Sequence, residues 1–409
     1  MGKFDAIYND YMKRRKAVLA MGGEKELAKR REKGQTNARE RIDMLIDPGT
    51  FTEVGTFMTH RQTEFGMAGK LVPAEGVVAG YGKVNGRYTV VISEDFTAMA
   101  GSFGEYHGKK FVWALDFAKD KGWPFIGIND SGGARLQEGM DTLESYGWTF
   151  RAQILASGIV PQIALLLGPC LGGQAYHPIM NDFVIQSKKT GFMGIAGPAF
   201  VKTVTGENIT LEKLAGWEPH AMKSGGTHIV GEDDKECISL AKKLLSYLPS
   251  NNKEKPPTIE SNDDPNREIP ELDNFLPDTE LRVPYDMYPL IDKVVDQGSF
   301  FEIHRYFARN LIVGLARFNG RVAGVVANQP KVLMGGMDCD ASDKLARFVR
   351  FCDLFNIPLV TLTDCPAFWI GSPHEWKGIL RHGAKTLFAW AEATVPLIAV
   401  IIGKSYAGA

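Results

Sequence analysis

Two apolar runs in this chain end in small residues. Ile163 to Leu167 leads into Gly168-Pro169-Cys170-Leu171-Gly172-Gly173-Gln174, and Leu397 to Ile402 leads into Gly403-Lys404-Ser405-Tyr406-Ala407-Gly408-Ala409. Short continuous apolar runs bounded by glycine read as buried strands, and the residues beyond them as turns whose bare N–H groups approach something closely. The segments Lys110 to Asp130 and Lys344 to Asp364 each predict an amphipathic helix, then a proline-led buried strand ending in Asp. Asn85-Gly86 and Asn319-Gly320 sit between apolar runs and signal tight hairpins. Tyr8 to Asn37, rich in Lys, Arg and Glu, predicts a helix or helical pair with a solvated charged face, broken near Gly22-Gly23.

These elements recur in order. Ile42 to Glu53 resembles Ile291 to Glu302, and Gly80 to Arg87 resembles Gly314 to Arg321 at an offset of 234. The same offset relates Asp130 to Asp364, while Gly168 and Gly403 are 235 apart. Ordered blocks at nearly constant spacing predict a duplicated α/β domain. The expected organisation is an N-terminal helical segment (1–38), a first domain (39–248), a linker (249–284) rich in Pro, Asn, Asp and Glu, and a second domain (285–409). Gln174 to Leu248 has no counterpart after Ala409, so the second copy is expected to be truncated.

Composition narrows the class. A net charge of −1 gives no reason to expect nucleic acid or an anionic membrane as partner. Five scattered cysteines form no C-x-x-C pair, which argues against a disulfide framework or zinc ribbon and fits a reducing cytoplasm. Met1 to Lys16 lacks an apolar core of the kind signal peptides carry, and no run of about 20 apolar residues predicts a membrane span. The expectation is a cytoplasmic enzyme or a subunit of one.

The most distinctive motif is Asp130-Ser131-Gly132-Gly133-Ala134-Arg135-Leu136-Gln137-Glu138-Gly139, at the carboxyl end of a predicted strand. Ligands of open α/β sheets collect at that end, and paired glycines leave amides to meet them. Its counterpart, Asp364-Cys365-Pro366-Ala367-Phe368-Trp369, keeps Asp without the paired glycines. Other chemistries compete. Gly168-Pro169-Cys170-Leu171-Gly172 has the form of a nucleophile elbow, and Gly403-Lys404-Ser405-Tyr406-Ala407 is close to it. A thiol or serine hydrolase would then use Cys170 or Ser405 with a histidine base. A hydratase would need paired carboxylates, for which Glu138 and Asp141 are the nearest candidates. A non-catalytic binding scaffold is a third reading. Ile398 stands where a P-loop needs its first glycine, and Asn85 where a dinucleotide fingerprint needs its third.

Taken together, Ala38 to Asp43 with Asp47-Pro48-Gly49, Gly101 to Gly104, Asp130 to Gly139, Gly168 to Gly173, Lys202 to Glu207, Asn328-Gln329-Pro330, Asp343 to Asp353 and Arg381 to Lys385 resemble one family. It is the carboxyltransferase (β) subunits of biotin-dependent acyl-CoA carboxylases, propionyl-CoA carboxylase type, with the related decarboxylase α subunits. The resemblance implies tandem crotonase-like (ClpP/crotonase) ββα superhelix domains and an active site between the N-domain of one subunit and the C-domain of another, usually within a hexamer. It also implies that the amides of Gly172 and Gly173 hold the thioester oxygen of an acyl-CoA. Those of Gly408 and Ala409 would hold biotin's ureido oxygen, and Gly132, Gly133, Ala134, Arg135, Asn328 and Gln329 would contact substrate. Biotin would arrive on a separate carrier domain or subunit. The partners would be a biotin carrier or biotin carboxylase subunit, or the decarboxylase partner subunits; no metal and no membrane insertion are implied. Ala367 and Ile370 replace a glycine and a proline usual in the family.

Overall fold

The computed structural model describes residues 2–277 and 283–407. The chain divides into two compact units, 1–220 with 230–243, and 221–229 with 244–409.

In the first unit, β1 (Thr52–Val54), β2 (Val77–Val84) and β3 (Arg87–Glu94) pair antiparallel. The turn between β2 and β3 places Asn85 at φ 49° and Gly86 at φ 80°, the left-handed pair a two-residue hairpin requires. Asp47 fixes this turn, its two carboxylate oxygens accepting the N–H groups of Asn85 (3.1 Å) and Gly86 (2.8 Å). From β3 the sheet becomes parallel through β4 (Phe125–Ser131), β5 (Gln162–Leu171) and β6 (Phe183–Ser187). The short β7 (Phe192–Gly194) pairs with the end of β5, and β8 (Ile229–Gly231) closes the order β1-β2-β3-β4-β5-β6-β8. Helices Glu105–Lys121 and Met140–Ala156 contribute Phe111, Leu115, Tyr146 and Ala152 to the core beside β2, β3 and β4. Full burial of each such large apolar side chain is worth about 1.5–3 kcal/mol.

The second unit repeats this pairing. β9 (Phe301–Ile303), β10 (Leu311–Phe318) and β11 (Arg321–Asn328) are antiparallel, and β12 (Leu359–Cys365) and β13 (Leu397–Ser405) continue in parallel. Its hairpin turn is held in the same way, with Asp296 accepting from the N–H groups of Asn319 and Gly320, both at 2.7 Å. Helix Cys339–Leu354 starts at Asp338, whose carboxylate accepts from Ala341 N–H at 2.9 Å. Within 249–277, Leu272 and Phe275 pack on this unit's core of Met287, Ile291, Ile312 and Leu362.

Two details differ from the sequence reading. The glycines at 168 and 403 do not begin turns. Strands β5 and β13 run through them to Leu171 and Ser405, with the ladder shifting register opposite Asn129 to Ser131 and Thr363 to Cys365. Glycine is needed there because a carboxylate lies against the strand. A Cβ on Gly168 would stand 1.9 Å from Asp130 Oδ1, and one on Gly403 2.7 Å from Asp364 Oδ2. The N-terminal helices, Asp5–Leu19 and Glu24–Glu32, break at Met21 to Gly23 as expected, but their basic face is not wholly solvated, because Arg30 is buried. Among the described residues, no helix is long and apolar enough to cross a membrane.

Candidate active site

The turn that follows β5 is a tight 3-10 turn, Gly172–Ala175, continuing into the helical residues Tyr176–Ile179. Gly172 sits at φ 69°, a conformation that favours glycine. The first two N–H groups of such a turn, those of Gly172 and Gly173, find no acceptor inside it. Gly173 is exposed and Gly172 half-buried. Little crowds either one: a Cβ on Gly172 would meet only Ile195 O at 3.9 Å, and one on Gly173 only the Tyr146 ring at 3.5 Å. The turn therefore brings two consecutive glycine amides to the carboxyl end of a parallel strand, beside the pairing of Leu171 with Gly194 of β7.

Beneath it lies a buried polar cluster. Glu94, at the end of β3, is fully buried, and its Oε1 contacts His107 Nε2 at 3.2 Å and the side-chain amide of Gln174, the residue after Gly173. Its Oε2 accepts the Asp130 N–H at 3.0 Å and faces Asn129 Nδ2 at 3.4 Å. Burial pushes the Glu94 carboxyl up to about 8, and the same burial pushes His107 well below its usual range. Asp130 in turn accepts from Arg30 and, at 2.7 Å, from Arg41; Arg41 also reaches Asp234 at 3.0 Å and Leu167 O at 2.7 Å. Burial raises the Asp130 carboxyl against the pull of Arg41 and Arg30. Burial alone would lower Arg41, but Asp130 and Asp234 outweigh it and hold the guanidinium charged. Sequence reasoning missed this network. Its one visible trace was the repeat, which aligns Glu94 with Asn328.

The glycine-rich motif after β4 behaves differently from expectation. Its amides are spent inside the protein: Gly132 N–H donates to Ala100 O (2.8 Å), Gly133 N–H to Ser131 Oγ (3.1 Å) and Arg135 N–H to Phe103 O (2.8 Å). The Arg135 side chain is buried as well, paired with Glu75 and with Glu138 at 2.7 Å. With the guanidinium paired to two carboxylates, exposed Gly132 and half-buried Ala134 are the accessible ones among the four substrate candidates of this loop. Asn328 and Gln329 are likewise committed. Asn328 donates to Gly335 O (2.9 Å) and accepts from Asp364 N–H (3.2 Å), while Gln329 accepts from Met287 N–H (3.2 Å) and donates to Asp286 (2.9 Å). Both are buried, their side chains bonded to neighbouring loops. Gly408 and Ala409 lie outside the described residues.

The competing chemistries lose their residues. Cys170 is buried within β5, its thiol donates to Gln174 O at 3.2 Å, and burial pushes it well above the usual range, the opposite of an activated nucleophile. Ser405 lies within β13, paired with Cys365. Glu138 is bound to Arg135 and to the Glu105 N–H (2.7 Å), whereas the half-exposed Asp141 faces Arg61 at 3.8 Å, so no carboxylate dyad forms. A separate cleft of about 360 Å³ opens between Lys29, Arg30 and Lys33 on one side and Phe96, Met99 and Ala100 on the other.

An α/β protein that sets two glycine amides at the end of a parallel strand, with no activated nucleophile or carboxylate dyad beside them among the described residues, has an arrangement suited to an oxyanion. Comparison with known proteins gives that class a family. Residues 29–409 match the carboxyl transferase domain, and the chain belongs to that family of carboxyl-transferring enzymes. It is 48% identical over 396 residues to the propionyl-CoA carboxylase beta chain of Roseobacter denitrificans, covering 97% of this chain and 78% of that one. It is 47% identical over 391 residues to the methylmalonyl-CoA decarboxylase subunit alpha of Veillonella parvula, covering 96% and 77% respectively. The transcarboxylase 12S crystal structure, a hexamer assembly with methylmalonyl-coenzyme A and methylmalonic acid bound, superposes with a TM-score of 0.97 at 46% identity over 100% of this chain and 79% of that one.

Proposed function

We propose that this chain transfers a carboxyl group between biotin and the α-carbon of a short acyl-CoA of the propionyl or methylmalonyl type. The observation that carries the reading is the turn that sets the Gly172 and Gly173 amides, half-buried and exposed, at the carboxyl end of β5. When the bond between the α-carbon and its carboxyl group breaks, or when the α-carbon loses its proton before carboxylation, the electron pair moves toward the thioester oxygen. Gly172 and Gly173 N–H hold the charge there, and one such donor is worth about 2.7–4 kcal/mol in comparable sites. Lys29 and Lys33, on the rim of the cleft beside Ala100, suit the phosphates of the CoA moiety.

Biotin, carried on a separate carrier domain or subunit, supplies the group that gives up or receives the carboxyl. Its proposed contacts, the amides of Gly408 and Ala409, follow a strand prepared as β5 is. Gly403 admits the Asp364 carboxylate, which accepts from Lys404 N–H at 3.0 Å and pairs with its ammonium at 2.7 Å. We read the repeated pairing pattern as two crotonase-like domains, 39–248 and 285–409, joined through 249–284. A homo-hexamer like that of the transcarboxylase, working with a biotin carrier or biotin carboxylase subunit, completes the reading. The five buried, free cysteines support a cytoplasmic setting. A decarboxylase α subunit acting on methylmalonyl-CoA or glutaconyl-CoA would use the same site in the releasing direction, a reading favoured by the Veillonella relative.

The test is decarboxylation of malonyl-CoA, methylmalonyl-CoA and glutaconyl-CoA with free biotin. Biotin-dependent turnover, fastest on methylmalonyl-CoA, is expected. Absence of biotin-dependent turnover on all three would remove the proposal.

A further inference from the structure

The hydrogen-bond chain beneath the Gly172–Gly173 turn has a direction that its fixed members dictate. It starts at the loop Ala74 to Gly76, three consecutive residues in the left-handed region (φ 49°, 59° and 70°). Such residues are strained when not glycine and persist only where the surroundings over-determine them. Lys110 is part of that determination, its ammonium donating to Ala74 O at 2.7 Å and Val77 O at 2.6 Å. The loop's Glu75 carbonyl lies 3.1 Å from His107 Nδ1. A carbonyl only accepts, so the imidazole proton sits on Nδ1, and in the neutral ring Nε2 is left as an acceptor. Nε2 faces Glu94 Oε1. A bond across that gap needs a proton on the Glu94 oxygen. Oε1 then donates to His107 and accepts from Gln174, while Oε2 accepts from Asp130 N–H.

We propose that Glu94 is a positioning residue of the oxyanion turn: as a neutral carboxylic acid it bridges His107 and Gln174 and so fixes the Gly172–Gly173 amides, and on losing its proton it loses the His107 arm of that bridge and loosens them. The proposal rests on the assignment of those amides to the thioester oxygen. Once ionised, Glu94 turns a lone pair toward the lone pair of His107, in a site that water does not reach. The titratable and charged groups facing it come from each neighbouring element. They are His107 from helix Glu105–Lys121, Asp130 from β4, Arg41 from helix Ala38–Leu45, Tyr146 from helix Met140–Ala156 and Cys170 from β5. Tyr146, whose ring lies under Gly173, and Cys170 are both pushed upward chiefly by burial and further by Glu94, so neither offers a compensating charge. Arg41 is the cation that an ionised Glu94 would find, and it is already divided between Asp130 and Asp234.

Glu94→Gln separates the proton from the shape. A glutamine amide donates to His107 Nε2 and accepts from Asp130 N–H. Gln174 meets it by rotating its carbonyl inward; that Oε1 is buried and has no partner as it stands. Glu94→Gln is therefore expected to keep kcat within about threefold of the wild type at neutral pH, with the wild type losing activity about tenfold per pH unit above its break and the variant flat through it. The break should fall near the raised value of about 8. Glu94→Ala is expected to lose about 100-fold in kcat with KM for the acyl-CoA little changed, since it loosens a donor that acts on the developing charge.

Amide hydrogen exchange of residues 171–175 gives a readout independent of turnover. The wild-type rate divided by that of Glu94→Gln at the same pH should stay near one in acid and climb above the break. A variant with the same alkaline fall as the wild type, or an exchange ratio that stays flat, would overturn the proposal. Should the wild type show no biotin-dependent turnover, the assignment of the amides fails, and the exchange ratio still decides whether Glu94 holds the turn.

Discussion

Asp130 in the first unit and Asp364 in the second end equivalent strands and press a carboxylate against an equivalent glycine, and each donates its own N–H to a side chain on the preceding hairpin strand. That side chain is Glu94 in one and Asn328 in the other, at 3.0 and 3.2 Å. Asn328 accepts with its oxygen and donates with its nitrogen to Gly335 O at 2.9 Å. Glu94 performs the same pair of tasks, accepting from Asp130 N–H and donating toward His107, only while it carries a proton. The second unit thus shows what the position requires, a neutral group with one donor and one acceptor arm. The first unit meets that requirement with an acid that pH can switch. The carboxylates differ too. Asp130 is held by two buried guanidiniums, whereas Asp364 is held by Lys404 and the Tyr285 hydroxyl.

The comparison breaks first at those ion pairs. Asp130→Asn leaves Arg30 and Arg41 without their carboxylate in a dry site, and the expected loss is about 3–5 kcal/mol of stability in denaturant unfolding. Asp364→Asn removes a carboxylate partner of a single lysine rather than of two guanidiniums and should cost about 1–3 kcal/mol. Equal losses would mean that the guanidiniums find other acceptors. A second contrast lies in the buried lysines at the repeat offset. Lys110 holds two carbonyls, whereas Lys344 holds four, those of His304, Phe307, Ala308 and Leu311, at 2.6 to 3.3 Å. Replacement by Met orphans those carbonyls, at about 1–3 kcal/mol for the first unit and more for the second.

The acid–amide contrast gives a sign as well as a size. Glu94 holds its proton to about 8 when folded, against 4.5 for the ordinary side chain. Between those values the folded state binds more protons than the unfolded state, so stability falls as pH rises. Its contribution is fully present below the unfolded value and is lost as pH passes the folded one. Melting temperatures of the wild type relative to Glu94→Gln should therefore decline across that window and level off above it; a constant difference would contradict the assignment. The smallest effect concerns Gly173→Ala. The added Cβ meets the Tyr146 ring at an ordinary 3.5 Å, so activity should stay within about threefold if the N–H, and not the missing side chain, is what the turn supplies.

Much of the fold could be read before any coordinates, because it rests on local signals. Asn-Gly between apolar runs gave both hairpins, and the proline-led runs gave β4 and β12, each preceded by its helix. The Asp47 and Asp296 blocks recurred because each must hold a left-handed turn. The site was read less well where meaning depended on distant partners. Gly168 read as a turn because glycine before small residues usually is one, yet it answers to a carboxylate 38 residues earlier in sequence. The paired glycines after Asp130 looked like free amides until Ala100 O and Ser131 Oγ claimed them. Glu94 sat unremarked at the end of an apolar strand, its role set by His107 and Gln174, which only folding brings to it.

The central claim, that Gly172 and Gly173 N–H receive the thioester oxygen, is tested most directly by amide resonances. In protein labelled with ¹⁵N-glycine, and with the two peaks assigned by Gly172→Ala and Gly173→Ala, adding propionyl-CoA should move both N–H protons downfield while free CoA leaves them in place. Resonances that ignore the acyl group, or that move equally for CoA alone, would contradict it.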